Sequence, residues 1–136
     1  MISKKTKYGL KAIVHVARLG YQERVQISAI AEKENIPRKF LESIMLELRK
    51  AGYLASRKGK GGGYYLLKDP SDITISEIYR VLEGPIAPVP CVSLNFYEKC
   101  EDCKDEAKCE IHLLMVKVRD SALDIYNNTF ISDLIK

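Results

Sequence analysis

Two helical patterns separated by a short break occupy residues 28–52, which read SAIAEKENIPRKFLESIMLELRKAG. Ser28 is a good N-cap for a first helix over residues 29–34, because its hydroxyl accepts a hydrogen bond from an otherwise unpaired backbone N–H. After a two-residue break, Pro37 fits the first position of a second helix, where its missing N–H costs nothing. The second helix carries an apolar stripe made of Leu41, Ile44, Met45 and Leu48. Two short helices joined by a brief turn are typical of a helix-turn-helix.

Helices are also predicted on both sides of this pair. An apolar pattern at helical spacing predicts a helix over residues 4–20, with Gly20 closing it. Further along, Thr74 and Glu77 have the spacing of a capping box, and Ile73 and Ile78 are placed to form the hydrophobic staple around it. The capping box predicts a fourth helix that starts after Thr74 and ends near Glu83.

A glycine-rich loop with lysines lies between two short runs that favour β structure. The runs cover residues 53–57 and 64–67, and the loop between them, residues 58–63, reads KGKGGG. A phosphate-binding NTPase loop would need a strand before it, a Lys-Ser/Thr pair and a following helix, and none of these is predicted. The pattern therefore predicts a hairpin with a cationic tip, which is the wing of a winged helix, placed where a strand ribbon touches a DNA backbone or minor groove.

Charge is distributed unequally along the 136 residues. Residues 1–70 contain 15 Lys/Arg against 6 Asp/Glu, a net charge of +9, whereas residues 71–136 have a net charge of −5. A basic half of this kind indicates a polyanionic partner, with a solvated lysine-rich surface as the alternative. We find no recognisable enzyme constellation, no export signal and no stretch able to span a membrane, so we expect a cytoplasmic protein that is not an enzyme and has no membrane partner.

All four cysteines fall within a short segment that has no clear helical period at its start. Residues 84–104 contain three prolines, and a last long helix is predicted to begin near Asp105. Four thiols and an imidazole are ample for a soft-metal site, holding either an iron–sulfur cluster or zinc. Structural, disulfide-forming or unmetallated thiols are the alternative, and His15 is interpreted as an ordinary histidine. The candidate metal ligands are Cys91, Cys100, Cys103, Cys109 and His112.

The last helix has a narrow apolar seam at steps of three and four residues. Such a seam needs a partner surface, either the same domain or a second copy of the chain, and dimerisation is the prediction because helix-turn-helix proteins usually pair two reading heads on a two-fold DNA site. The predicted dimerisation residues are Ile111, Leu114, Met115, Val118, Ala122 and Ile125.

The predicted fold is mainly α with a small β-hairpin. It divides into a winged helix-turn-helix domain at residues 1–83, a cysteine-bearing loop at residues 84–104, and a long C-terminal dimerisation helix with its tail at residues 105–136.

The same residues resemble a known family. The N-terminal helix, the segments 36–42 (IPRKFLE), 48–54 (LRKAGYL) and 56–64 (SRKGKGGGY), and the spacing from Cys103 through Cys109 to His112 resemble the Rrf family of bacterial winged-helix transcription regulators, which includes IscR, NsrR and CymR. The resemblance implies a homodimer joined through the long C-terminal helix, and many members hold an iron–sulfur cluster near the start of that helix. The extra cysteine at position 100 departs from the IscR-like pattern.

From this resemblance and the motif positions, the DNA contacts are expected at the start of the first helix of the pair, on the second helix and on the wing. Arg and Lys donate to guanine or to phosphate, and Glu accepts from cytosine, so the set offers both base reading and positioning. The predicted DNA-binding residues are Ser28, Arg38, Lys39, Glu42, Arg57, Lys58, Lys60 and Tyr64.

Three functional hypotheses follow. The first is a homodimeric regulator, expected to be a repressor, that binds a palindromic duplex and senses redox state, iron or nitric oxide through a cysteine-ligated iron–sulfur cluster. The second is a cluster-free regulator that responds to a protein partner or to thiol oxidation. The third, from another class, is an iron–sulfur or zinc protein of metal handling or electron transfer that docks an acidic partner with its basic half.

Overall fold

The computed structural model describes residues 2–135 and contains five α-helices and one antiparallel hairpin in that range. The helices are α1 (Lys4–Arg18), α2 (Ile27–Glu34), α3 (Arg38–Lys50), α4 (Ile75–Leu82) and α5 (Glu110–Asn127), and the strands are β1 (Leu54–Arg57) and β2 (Gly63–Leu66). Short 3-10 turns lie at Pro70–Asp72, Pro90–Val92, Glu106–Lys108 and Ile131–Leu134. The predicted fold class is confirmed. No helix within residues 2–135 is long and apolar enough to cross a membrane.

The core is built where α1, α3 and α4 meet. Ile13, Ile44 and Ile78 contribute fully buried side chains from the three helices. Gly9 allows the close approach, because a Cβ at this position would lie 2.1 Å from Cδ1 of Leu82 on α4. Packing against α1 and α4 therefore holds α3 in place. The opposite surface of α3 faces away from these two helices.

The chain returns to this core after α5. Ile131 is fully buried, and its N–H donates to the carbonyl of Ile73 at 2.9 Å. The N–H of Ile75 in turn donates to the carbonyl of Thr129 at 2.8 Å. The end of α5 is thus fastened to the start of α4 by a short antiparallel pairing. The three-segment division of the chain remains a prediction.

Three local predictions were wrong. Ser28 is not an N-cap, since α2 already begins at Ile27 and is preceded by Gln26, whose side chain bonds the wing instead of the helix end. Pro37 precedes α3 as its N-cap and is not its first residue. The last helix starts at Glu110 and not near Asp105, because the Asp105 carboxylate caps a separate 3-10 turn by accepting from the N–H of Ala107 at 3.1 Å.

Candidate DNA-binding face and cysteine site

One face of α3 is exposed and carries most of its polar side chains. Arg38, Lys39 and Glu42 lie in the first turn and a half, and the Nε of Arg38 is 3.4 Å from Oε1 of Glu42. The Arg38 side chain is 65% exposed and the Glu42 side chain is 50% exposed. An ion pair this exposed is weak, so both side chains can leave it to contact a ligand. Ser43 and Lys50 continue the same face toward the end of the helix.

The wing is anchored to the segment that precedes α2. Val25 and Tyr64 form an isolated antiparallel bridge, and the Gln26 side-chain amide donates to the carbonyl of Gly62 at 2.9 Å. Arg24 donates to the carbonyl of Gly61 at 3.2 Å. The hairpin is therefore held against the helix-turn-helix at three successive residues.

Two glycines of the wing are required by close backbone approach. A Cβ on Gly63 would lie 2.5 Å from the carbonyl oxygen of Val25, and the φ of +130° at Gly63 disfavours side chains in any case. A Cβ on Gly62 would lie 2.1 Å from the carbonyl oxygen of Arg57. The glycine run thus shapes the base of the wing and leaves the tip free to carry cations.

The cationic side chains predicted for the wing are exposed. Arg57 ends β1, and Lys58 and Lys60 lie in the loop beyond it. Ser28 is exposed in the first turn of α2, whereas Tyr64 is half-buried and packs against the core. We conclude that Tyr64 supports the wing from behind while the three cations define its outer surface.

The cysteines and His112 line one cavity of about 340 Å³ between the loop and the start of α5. The Nδ1 of His112 lies 3.3 Å from Sγ of Cys91, and the backbone N–H of His112 donates to Sγ of Cys109 at 3.4 Å. Cys109 is therefore the N-cap of α5. Cys91 thus contacts the imidazole of His112, and Cys109 contacts the backbone of the same residue.

The other two thiols have environments that favour their protonated forms. Cys100 is exposed and donates to the carboxylate of Asp102 at 2.6 Å, which raises the pKa of the Cys100 thiol. Desolvation and the neighbouring Cys109 sulfur raise the pKa of Cys103. All four cysteines are free thiols, and no three His, Cys, Asp or Glu side chains within residues 2–135 are grouped as a metal site.

Arg119 connects the cysteine-bearing loop to α5. Its side chain is only 15% exposed, and its Nη1 donates to the carbonyl of Val92 at 2.9 Å. Val92 follows Cys91 directly in the 3-10 turn, and Arg119 lies two helical turns beyond His112 on the same face of α5. His112 and Arg119 both contact the cysteine-bearing loop, and we call the face of α5 that carries them its inner face. This face positions both Cys91 and His112.

A second face of α5 has no partner within residues 2–135. Helix α5 has no buried residue, and its exposed apolar side chains include four members of the predicted seam, which are between 46% and 62% exposed. The remaining two members, at the border with the inner face, are half-buried. The exposed members are Ile111, Leu114, Val118 and Ile125, and the half-buried ones are Met115 and Ala122.

Comparison with known families decides the class of protein. A family model described as Rrf2, iron-dependent transcriptional regulator, matches residues 2–136. The chain belongs to the Rrf2 family. It is accordingly a DNA-binding transcription regulator, which confirms the resemblance found in the sequence and, of the first functional hypothesis, the part that makes the protein a DNA-binding regulator.

Individual Rrf2 proteins are similar along nearly the whole chain. An rrf2-like HTH-type transcriptional regulator of Rhodobacter capsulatus is 44% identical, with 99% of this chain and 92% of the relative covered. The structure of CymR, the global cysteine regulator of Bacillus subtilis, matches with a TM-score of 0.81 at 35% identity, covering 99% of this chain and 95% of that one. IscR of Vibrio campbellii is 29% identical, with 99% of this chain and 77% of the relative covered.

Several residues at the candidate sites were missed by the sequence analysis. Ser43 and Lys50 continue the spacing of Lys39 on α3 and were detectable from helical periodicity alone. Gln26 and Arg119 were not detectable in this way, because their partners, Gly62 and Val92, lie 36 and 27 residues away.

Proposed function

We propose that this Rrf2 regulator is a homodimeric repressor that reads a two-fold symmetric DNA site through α3 and the wing. The observation that supports it most directly is the exposed polar face of α3 beside a wing that is tied to the helix-turn-helix at Val25 and Gln26. A dimer covering an operator excludes other proteins from overlapping DNA, which favours repression. Because the target is DNA, we expect the protein in the bacterial cytoplasm.

The proposed roles of the contact residues follow from their chemistry. Arg38 offers a planar donor fork to guanine O6 and N7, and Glu42 either accepts from cytosine N4 or keeps Arg38 aligned through their 3.4 Å contact. Contacts to phosphate oxygens position the protein without reading sequence. We assign this positioning role to Ser28, Lys39, Arg57, Lys58 and Lys60, while Tyr64 holds the wing in place.

The proposed dimer uses the exposed face of α5. Leu114 and Val118 lie near its middle and are about half exposed, so pairing with a second copy would supply roughly half of the about 1.5–3 kcal/mol of fully burying such a side chain. A two-fold axis beside α5 would present two copies of α3, which matches a palindromic duplex.

The cysteine site fits an iron–sulfur cluster in its donor chemistry. Cys91, Cys103, Cys109 and His112 line one cavity, and thiolate and imidazole are the ligands found in cysteine-rich clusters and their histidine variants. We propose these four as the ligands and place Cys100 outside the set, because its thiol is exposed and bonds Asp102. A bound cluster would supply redox and iron sensitivity.

The chain itself would transmit the state of this site through α5. Cys109 caps the helix and His112 lies in its first turn, while the other end of the helix is fastened to the reading head through Ile131. Thiols must be deprotonated to bind metal, so metal binding would release the proton that the raised pKa of Cys103 otherwise retains.

A cluster-free thiol sensor is the second candidate, and the Cys91–His112 contact favours it. The Nδ1 of His112 is 3.3 Å from the Cys91 sulfur, so the imidazole and the thiol share a hydrogen bond that oxidation of the sulfur would alter. Metal and sulfide analysis of protein purified without oxygen separates the two. Iron with acid-labile sulfide supports the cluster, zinc alone supports a zinc site, and metal-free protein that still binds DNA supports the thiol sensor.

The DNA-binding proposal is tested by selecting duplexes from a random pool with the purified protein. We expect enrichment of a palindromic sequence and a steep loss of affinity as salt is raised. Enrichment of no sequence, or binding that does not depend on salt, would contradict the proposal.

A further inference from the structure

Helix α1 carries a row of cations that the assigned DNA contacts do not include. Its sequence, KKTKYGLKAIVHVAR, contains no acidic residue. Lys4, Lys7 and Lys11 recur at steps of three and four residues, so they lie on one face of the helix, and all three are exposed. Within residues 2–135 none of the three forms an ion pair. We call this face the α1 lysine row.

The carboxylates nearest to α1 are already engaged. Glu47 pairs with Lys5 at 2.8 Å, and Glu34 contacts Nδ1 of His15 at 3.1 Å. Glu83 accepts from the backbone N–H of Ser3 at 2.6 Å. The positive charge of the α1 lysine row is therefore left without a neutralising partner, which favours the binding of a polyanion there.

The position of α1 relative to α3 suggests the polyanion. Tyr8 stacks edge-on against Phe40 with ring centroids 5.6 Å apart, and Lys5 reaches Glu47, so the first half of α1 lies along one edge of α3. The wing lies along the other edge, where Arg49 donates to the Ser56 hydroxyl of β1 at 3.1 Å.

The two edges lie on opposite sides of the recognition helix. Glu47 and Arg49 are two positions apart on α3, which places them about 200° apart around its axis. The exposed face with Lys39 lies between them. The reading face of α3 is thus bordered by the wing on one side and by α1 on the other.

The width of the major groove indicates which part of DNA lies at the α1 edge of α3. The axes of packed helices are about 8–10 Å apart, and the major groove of B-DNA is about 12 Å wide. A helix packed on the edge of a recognition helix in the groove therefore lies over one of the two phosphate backbones that border the groove. Lys4 and Lys11 flank Tyr8 on the outer surface of α1, at this border.

We propose that Lys4, Lys7 and Lys11 bind backbone phosphates of the same duplex, on the strand that borders the groove opposite the wing. The proposal rests on the assignment of α3 as the recognition helix. It gives each reading head two phosphate clamps, the wing and the α1 lysine row, with the base-reading face of α3 between them. The contacts are to phosphate and carry no base preference.

The test compares two triple variants that remove the same charge. The triple variant Lys4→Ala/Lys7→Ala/Lys11→Ala removes the charge of the α1 lysine row. The control triple removes three exposed lysines of the cysteine-bearing loop and α5, namely Lys99→Ala/Lys104→Ala/Lys117→Ala. Affinity for a duplex of arbitrary sequence is measured by fluorescence anisotropy over a series of salt concentrations. We expect the slope of log affinity against log salt to fall by about one for each phosphate that the α1 variant no longer neutralises, with the control near wild type.

A second measurement locates the contacts. On the duplex that the wild-type protein selects from a random pool, single phosphates are replaced by neutral methylphosphonates. We expect substitutions on the strand opposite the wing to weaken wild-type binding and to leave the α1 triple variant unaffected. Equal salt slopes for the α1 and control variants, or uniform sensitivity of both proteins at every phosphate, would overturn the proposal.

The recognition-helix variant Lys39→Ala separates this inference from the assignment on which it rests. If Lys39→Ala weakens binding while the α1 triple variant behaves like its control, α3 reads DNA and the α1 lysine row has no part in it. If Lys39→Ala is also without effect, the recognition face itself is misassigned and the α1 proposal fails with it.

Discussion

Val25 and Tyr64 exchange two backbone hydrogen bonds, with N–H to carbonyl distances of 2.9 and 2.8 Å. One residue belongs to the segment that leads into α2 and the other to β2 of the wing. The pairing joins the hairpin by backbone hydrogen bonds to the segment that leads into α2. The wing therefore cannot change its angle to α2 without breaking these two backbone hydrogen bonds.

Replacing Gly63 by alanine should disrupt this pairing. The new Cβ would meet the Val25 carbonyl at 2.5 Å and force the backbone apart, so we expect a loss of about 1–3 kcal/mol in the free energy of unfolding and weaker DNA binding. Gly59→Ala is the matched control, since Gly59 also has a positive φ but a Cβ there contacts nothing within 4 Å. Urea unfolding and gel-shift titration measure both effects. Equal losses for the two variants would show that φ strain, and not the contact with Val25, is what matters.

Substitutions in the DNA face should separate positioning from reading. Lys60→Ala should weaken binding to every duplex and lower the salt slope by about one. Arg38→Ala should cost about 1–3 kcal/mol on the selected sequence and relax the preference at one base pair. Glu42→Gln removes the charge that pairs with Arg38 while keeping the side-chain size. Unchanged affinity and unchanged preference in all three variants would refute the assignment.

The dimer prediction has a control on the same helix. Leu114→Asp/Val118→Asp places charge on the exposed apolar face of α5, and burying unpaired carboxylates between two chains is strongly unfavourable. We expect light scattering to give a monomeric mass for this variant and a dimeric mass for wild type. Leu113→Asp changes a leucine that is equally exposed but lies off the seam, so it should remain dimeric. A wild-type monomer at micromolar concentration would contradict the prediction.

Two substitutions at Cys109 should distinguish its role as a metal ligand from its role as a helix cap. Cys109→Ala removes both the thiolate and the acceptor for the His112 N–H, and should lose iron and about 1 kcal/mol of stability. Cys109→Ser keeps a good capping oxygen and should lose iron without losing stability. Iron and sulfide content is measured without oxygen, and stability by thermal unfolding of the metal-free protein. Full metal content in both variants would exclude Cys109 from the ligand set.

The sequence predicted most elements, because their determinants are local. The Thr74–Glu77 capping box is present as expected, and the positive φ of Asn35 ends α2 at the predicted break. The errors in helix starts arose from neighbouring residues, as where the Asp105 carboxylate caps a separate 3-10 turn, and from residues with distant partners. Gln26 bonds Gly62 of the wing, and α2 therefore starts before Ser28 can act as its cap.

The candidate sites were predictable to different extents for the same reason. Helical periodicity identified the exposed face of α5, and motif spacing placed the cysteines in one segment. The Cys91–His112 contact and the support from Arg119 depend on how the loop folds back on α5, over separations of 21 and 27 residues. No local pattern encodes these separations.

The buried position of Ile131 has a consequence for how such a chain can be divided or recombined. The reading head is completed by residues that follow α5, so it is discontinuous in sequence, with the cysteine site and the seam inserted between its two parts. A fragment that ends before Phe130 would lack the buried side chain of Ile131. Exchanging the segment between α4 and Phe130 with that of another protein would require the new segment to fit the core at both of its ends. The residues on both sides of the cysteine site and α5 are therefore needed for one complete core.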